Sequence, residues 1–87
     1  MHAVVATVKV DNPAQARERL QDLRLPVVRR APGVVCGYWL EPVDGVGMSV
    51  IVFETEEHAR AALAFPLAPI PGVTPLTLTV REVYASL

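Results

Sequence analysis

Tyr38 and His58 are the two side chains in this sequence whose chemistry best suits a catalytic role. An imidazole can act as a general base or as a metal ligand, and a phenol can orient a substrate or donate a proton. No second ligand or orienting carboxylate is identifiable from the spacing around His58. The alternative reading of both residues is structural: a partly exposed helix histidine, and a tyrosine that satisfies one hydrogen bond. We take His58 and Tyr38 as candidate catalytic residues, and we expect no metal site and no cofactor.

Trp39 and Cys36 belong to the same stretch as Tyr38. Trp39 could stack on a flat aromatic substrate, but a tryptophan in a strand is more often a packing anchor, here at an interface between two copies. Cys36 is the single cysteine, which excludes an internal disulfide and a cysteine-based zinc site. No cationic residue adjoins it in the sequence, so we expect a buried, inert thiol.

The elements that hold these candidates are predicted from apolar runs and turn residues. Val34 to Leu40 and Met48 to Phe53 are short, β-branched or aromatic runs typical of strands, and Asp44-Gly45 between them is a typical hairpin pair. Thr55 is placed to cap a following helix, and Ala59, Ala62 and Leu63 are its expected packing stripe.

The rest of the chain supplies two more strands, another helix and a proline-rich segment. Ala3 to Val10 is predicted as the first strand, and Asp11 or Asn12 caps a helix with Pro13 at its first position. Pro26 predicts a kink or break at Leu25. Residues 66–75 hold four prolines and are expected to form a loop over the open end of the pocket, and 76–84 alternates like a closing strand.

The order β-α-β-β-α-β in 87 residues predicts one α+β domain over 1–87 with the ferredoxin-like arrangement: a four-stranded antiparallel sheet with two helices on one face. An even-length hairpin connection places Tyr38 with Ile51 and Phe53, facing the helices. The opposite face would carry many apolar side chains, too many for a monomer. We therefore predict a homodimer that pairs sheet to sheet. Its expected interface residues are Trp39, Val35, Val50 and Val52.

Composition excludes several kinds of partner. The formal net charge is −1, with no basic cluster larger than Arg29-Arg30, so nucleic acid is not an expected partner. No apolar run approaches the roughly 20 residues that cross a bilayer, so no membrane span is expected. We expect a cytoplasmic protein.

Three stretches carry a resemblance to a known family: PGVVCGYW at 32–39, SVIVFETEEHARAAL at 49–63 and VREV at 80–83. They resemble the dimeric α+β barrel domains, and within them the small proteins similar to antibiotic-biosynthesis monooxygenases. The resemblance implies a barrel made by two sheets and active sites between each sheet and its helices. Haem-degrading members resemble one another in an asparagine on the first strand, a tryptophan and a helical histidine. The first strand here has no asparagine, so the resemblance does not favour haem degradation.

Two functions follow from these observations. The first is a cofactor-independent, monooxygenase-like enzyme that acts on an apolar or aromatic small molecule in the pocket, with Tyr38 and His58 orienting or deprotonating it. The alternative is a non-catalytic dimer that binds a small molecule or another protein. The alternative is favoured by the scarcity of titratable residues on the predicted helix face.

Overall fold

A computed structural model of the chain describes residues 1–64 and 69–87, and over these ranges the chain has four strands and two helical segments. In chain order the elements are β1 (His2–Val10), α1 (Pro13–Arg19), a π-helical turn (Leu20–Arg24), α2 (Leu25–Arg29), β2 (Val34–Val43), β3 (Val46–Phe53), α3 (Glu56–Ala64) and β4 (Val73–Glu82). Because α1, the π-helical turn and α2 follow one another without a break, the order is β-α-β-β-α-β, as predicted.

The four strands form one antiparallel sheet in the order β2-β3-β1-β4. The central strand β1 pairs with β3 on one side, where Val4 lies opposite Ile51, and with β4 on the other, where Val4 lies opposite Val80. This is the ferredoxin-like arrangement, and it confirms the predicted α+β fold class. The sheet-to-sheet dimer stays a prediction.

The hydrophobic core lies between the sheet and α3. Its centre is formed by Val4, Phe53 and Ala59, and Ala59 is fully buried. Ala62 and Leu63 of α3 pack against this cluster. The predicted packing stripe of the helix is therefore confirmed, and its small side chains let α3 approach the sheet closely.

The first helical segment begins where the sequence predicts, but it does not break at Pro26. The side chain of Asn12 accepts a hydrogen bond from the backbone N–H of Gln15 at 3.1 Å, which caps α1. The chain then widens into the π-helical turn, in which the N–H of Leu25 donates to the carbonyl of Leu20. Pro26 is the second residue of α2 and directly follows the π-helical turn, where the irregular hydrogen bonding accommodates its missing N–H. The chain therefore does not break at Leu25, and the predicted irregularity takes the form of a π-helical turn just before Pro26.

The turn between β2 and β3 matches its prediction. Asp44 has φ 53° and Gly45 has φ 78°, the pair of positive values that a two-residue hairpin turn of type I′ requires. The carbonyl of Gly45 also accepts a hydrogen bond from the backbone N–H of Val10 at 2.7 Å, which joins the turn to the end of β1.

The register of β2 has two irregularities. Val34 lies opposite Phe53, but Cys36 lies opposite the very next residue, Val52, so Val35 is an extra residue in the ladder. A second irregularity between Leu40 and Val43 places another extra residue in β2, so the original alternation of faces returns before the turn. Between the two, every side chain of β2 changes face relative to an uninterrupted strand.

This change corrects three sequence-based expectations. Trp39 lies opposite Ser49 on the side of the helices, whereas Tyr38 lies opposite Val50 on the other side, which we call the open face. The prediction that Trp39 lies on the open face and Tyr38 on the helix side is therefore wrong. The thiol of Cys36 is exposed rather than buried.

The proline-rich segment is only partly a loop. Pro66 and Leu67 lie outside the described residues, and residues 71–72 form a turn, but β4 already begins at Val73, three residues earlier than predicted. Pro75 is tolerated there because β4 is an edge strand and its register shifts at this point. Residues 70–73 are tied to their surroundings: Arg19 donates to the carbonyl of Pro71 at 3.0 Å, and Ile70 is buried.

Candidate functional site

A cavity of about 680 Å³ lies between the sheet and the helices. We call it the helix-side cavity. It is bounded by the sheet, by α3 and by the segment from Pro26 to Pro32. Its lining comprises Val4 and Ala6 of β1, Ser49, Ile51 and Phe53 of β3, Leu78 of β4, residues 26–28 and 30–32, and His58, Ala61, Ala62 and Leu63 of α3. The lining is predominantly apolar, which suits a ligand with large apolar faces.

Three of the lining residues carry polar side chains, namely Ser49, His58 and Arg30. His58 is half-buried, on the first turn of α3, and Arg30 follows the end of α2. The cavity therefore combines an apolar body with one imidazole and one guanidinium.

His58 is held through one of its two ring nitrogens. The Oγ1 of Thr55 accepts a hydrogen bond from the backbone N–H of His58 at 3.1 Å and lies 2.9 Å from the Nδ1 of the same residue. Within the part of the chain that the structure describes, Nε2 of His58 has no hydrogen-bond partner. The cap thus orients the imidazole through Nδ1, and Nε2 makes no hydrogen bond to the described part of the chain.

The other candidate residues do not join His58. Tyr38 is 63% exposed on the open face, so the structure does not bring the two predicted catalytic residues together. Trp39 lines a smaller cleft of about 250 Å³ beside α2, which it shares with Leu25 and Arg29. Of the expected interface residues, Val50 lies opposite Tyr38 and Val52 opposite Cys36, both on the open face, and Val35 is the extra residue of the irregular ladder.

Sequence reasoning missed two of the polar groups around the cavity. Arg30 appeared only as half of a short basic pair, and Thr55 only as a helix cap. The spacing Thr55-x-x-His58 was the available signal, because a cap hydroxyl that receives the backbone N–H three residues later lies close to that residue's own side chain.

Other charged groups of the described residues stay away from the cavity. His2 Nε2 lies 3.8 Å from a carboxylate oxygen of Glu56, which also pairs with Arg60 at 3.3 Å. Burial lowers the pKa of the Arg24 guanidinium on the π-helical turn.

Over residues 1–64 and 69–87, no group of three His, Cys, Asp or Glu side chains could hold a metal ion, and no helix is long and apolar enough to cross a membrane.

Comparison with known proteins shows the fold. No protein-family profile matches the chain, and no curated protein matches it. A solved structure of an MhuD mutant with two manganese protoporphyrin IX molecules bound per active site is 20% identical, with a TM-score of 0.73, and the match covers 100% of this chain and 98% of that one. The haem degrader MhuD from Mycobacterium tuberculosis, with two haems bound in its active site, is 24% identical, with a TM-score of 0.66 and coverage of 97% and 98%. At these identities the likeness shows the ferredoxin-like fold, and function has to be argued from the site.

Proposed function

We propose that this chain binds haem, or a flat and largely apolar macrocycle of the same kind, in the helix-side cavity, where His58 would hold the iron. The observation that carries the proposal is an imidazole in an apolar cavity whose Nδ1 is engaged by Thr55 while Nε2 has no partner among the described residues. A neutral imidazole nitrogen is a common ligand of haem iron. The two neighbours of like fold bind porphyrins, which supports this choice among apolar ligands.

The dimensions and charge of the cavity agree with such a ligand. Its volume of about 680 Å³ falls within the range of about 300–1,000 Å³ typical of small-molecule sites. Haem carries two propionate groups, and Arg30 on the cavity wall is suited to bind a carboxylate. Apolar side chains on the sheet and on α3 would cover the faces of the ring and exclude water.

A haem-binding site of this kind is compatible with two forms of the protein, an enzyme and a non-catalytic binding protein. When bound, haem would supply an iron centre at which dioxygen can be activated, and the chain would then be an oxygenase-like enzyme. The described lining offers few groups that move protons, and the first strand lacks the asparagine that haem-degrading proteins of the resembled family share. These observations favour the second form, a non-catalytic protein that binds the macrocycle. Tyr38 has no place in either form, because it lies on the open face.

Absorbance titration with haemin tests the binding proposal. We expect a shift of the Soret band, with saturation, for the unaltered chain. His58→Ala should weaken binding by about tenfold or more, since an iron ligand is lost. His2→Ala is the matched control, because it removes the other histidine, which does not line the cavity. Failure of the unaltered chain to shift the Soret band would overturn the proposal, as would equal effects of the two substitutions.

A reductant then distinguishes an oxygenase that acts on haem from a non-catalytic haem-binding protein. Incubating the haemin complex with ascorbate in air should bleach the Soret band if the chain is an oxygenase that acts on haem. A stable Soret band under these conditions identifies the non-catalytic binding protein. Added catalase removes peroxide, so any bleaching that persists arises at the site rather than from free peroxide.

Assembly into a homodimer is part of the same proposal. The β2–β3 half of the open face carries six apolar or weakly polar side chains: Cys36, Tyr38, Leu40, Met48, Val50 and Val52. Tyr38, Leu40 and Met48 are each more than 40% exposed. A second copy of the same sheet would cover this surface. The expected cytoplasmic location is retained in the proposal.

A further inference from the structure

The loop before β2 and the cap of α3 meet at the imidazole of His58. Gly33 has φ 76°, in the left-handed region, and its carbonyl accepts a hydrogen bond from the backbone N–H of Glu54 at 2.8 Å. This bond holds the loop against the end of β3. A Cβ on Gly33 would lie 2.5 Å from Nδ1 of His58 and would also overlap its Cγ. Glycine is therefore needed at this position both for its conformation and for the room that the ring occupies.

Thr55 contacts the ring from the other direction, and its hydroxyl makes two contacts with the same residue. One is an acceptor role towards the backbone N–H of His58 at 3.1 Å. The other is the 2.9 Å contact with Nδ1. A hydroxyl oxygen has two acceptor positions and one hydrogen. Because Thr55 is exposed, its own hydrogen can be given to water, which leaves the second acceptor position for an Nδ1–H donor.

We propose that Thr55 and Gly33 are positioning residues: Gly33 leaves the room that the ring of His58 occupies, and Thr55 holds the proton on Nδ1 and so keeps Nε2 unprotonated for a ligand. The inference rests on the proposed function, since it is haem binding that requires a free lone pair on Nε2. The hydrogen bond made by one ring nitrogen sets which nitrogen is available to a metal, and the partners of such ligands strongly affect affinity. In the opposite arrangement the Thr55 hydroxyl donates to Nδ1, and Nε2 carries the proton and cannot bind iron.

The tautomer can be measured without any ligand. Two-bond proton–nitrogen NMR spectra of the ¹⁵N-labelled chain distinguish a protonated from an unprotonated ring nitrogen. They are recorded at a pH at which His58 is neutral, and the His2→Ala variant identifies which signals belong to His58. We expect the Nδ1 of His58 in the protonated form and Nε2 in the unprotonated form. Thr55→Val should move the population towards the Nε2–H form, and Thr55→Ser should restore it. A predominant Nε2–H form in the unaltered chain overturns the proposal.

Haemin titration supplies the second readout. Thr55→Val should weaken binding by about tenfold, as is common when the partner of a metal-binding histidine is removed, and Thr55→Ser should bind like the unaltered chain. Gly33→Ala, which keeps the hydroxyl, should also weaken binding because the methyl group displaces the ring. Circular dichroism of each variant shows whether the fold is retained.

The outcomes separate this inference from the proposed function. If the unaltered chain fails to bind haemin while its spectra show the Nδ1–H form, the proposed function is wrong and the positioning of the ring by Thr55 stands. If haemin binds through His58 with equal affinity in the unaltered chain and in Thr55→Val, the binding proposal stands and the positioning role is wrong.

Discussion

Trp39 lies opposite Ser49 in the β2–β3 ladder, and Ser49 lines the helix-side cavity. The indole therefore belongs to the helix side of the sheet, where its ring packs against Gly37: a Cβ on that glycine would lie 3.2 Å from Cζ3 of the indole. Tyr38, one residue earlier, takes the place on the open face that the sequence pattern assigned to Trp39.

The first prediction concerns the homodimer and distinguishes the role of Tyr38 from that of Trp39. Tyr38→Glu places a charge in the centre of the apolar half of the open face, so it should convert the dimer to a monomer in sedimentation velocity. Trp39→Gln should lower stability, because packing is lost on the helix side, but should leave the dimer intact. A monomeric unaltered chain, or dissociation caused by Trp39→Gln alone, would contradict the proposed interface.

The second prediction concerns the charge at the helix-side cavity. Arg30→Gln should weaken haemin binding by about threefold to fivefold, because exposed ion pairs contribute modestly. The same substitution should not change binding of haemin dimethyl ester, which has no carboxylates. Arg29→Gln is a matched control, since Arg29 lines the smaller cleft rather than this cavity. Equal losses for haemin and its ester would show that Arg30 acts on the structure of the wall and not on the propionates.

The third prediction concerns the turn that joins β2 to β3. Asp44→Val should lower the free energy of unfolding by about 1–2 kcal/mol, because a β-branched residue is strained at φ 53°. Asp44→Asn should be nearly neutral, as asparagine tolerates this region and keeps the turn type. Urea unfolding curves provide the measurement. A loss with asparagine as large as with valine would mean that the carboxylate itself, rather than the backbone conformation, stabilises the turn.

Local patterns predicted most of the fold. The positive φ values at Asp44 and Gly45, the cap at Asn12 and the buried Ala59 all follow from residue types whose conformational preferences are strong and local. These features set the order and type of the elements, and through them the ferredoxin-like sheet.

The faces of β2 could not be predicted, because extra residues near both of its ends decide them. Val35 is extra at one end and looks like any other strand residue, and a second extra residue between Leu40 and Val43 reverses the faces counted from the turn. Gly37 and Pro42 were weak signals, since a glycine or proline within a strand often accompanies such an irregularity. The alternation of faces counted from the hairpin turn is therefore reversed between Cys36 and Leu40. For this reason the assignment of Tyr38 to the helix side is wrong.

The helix-side cavity leaves the folded chain with a small interior. The buried centre consists of Val4, Phe53 and Ala59, while apolar residues that line the cavity, such as Val27, remain partly in contact with solvent. A ligand that fills this space would complete the hydrophobic core, so its binding energy would add directly to the stability of the native state. The melting temperature would then rise with ligand concentration, and it would indicate what fraction of the protein has ligand bound.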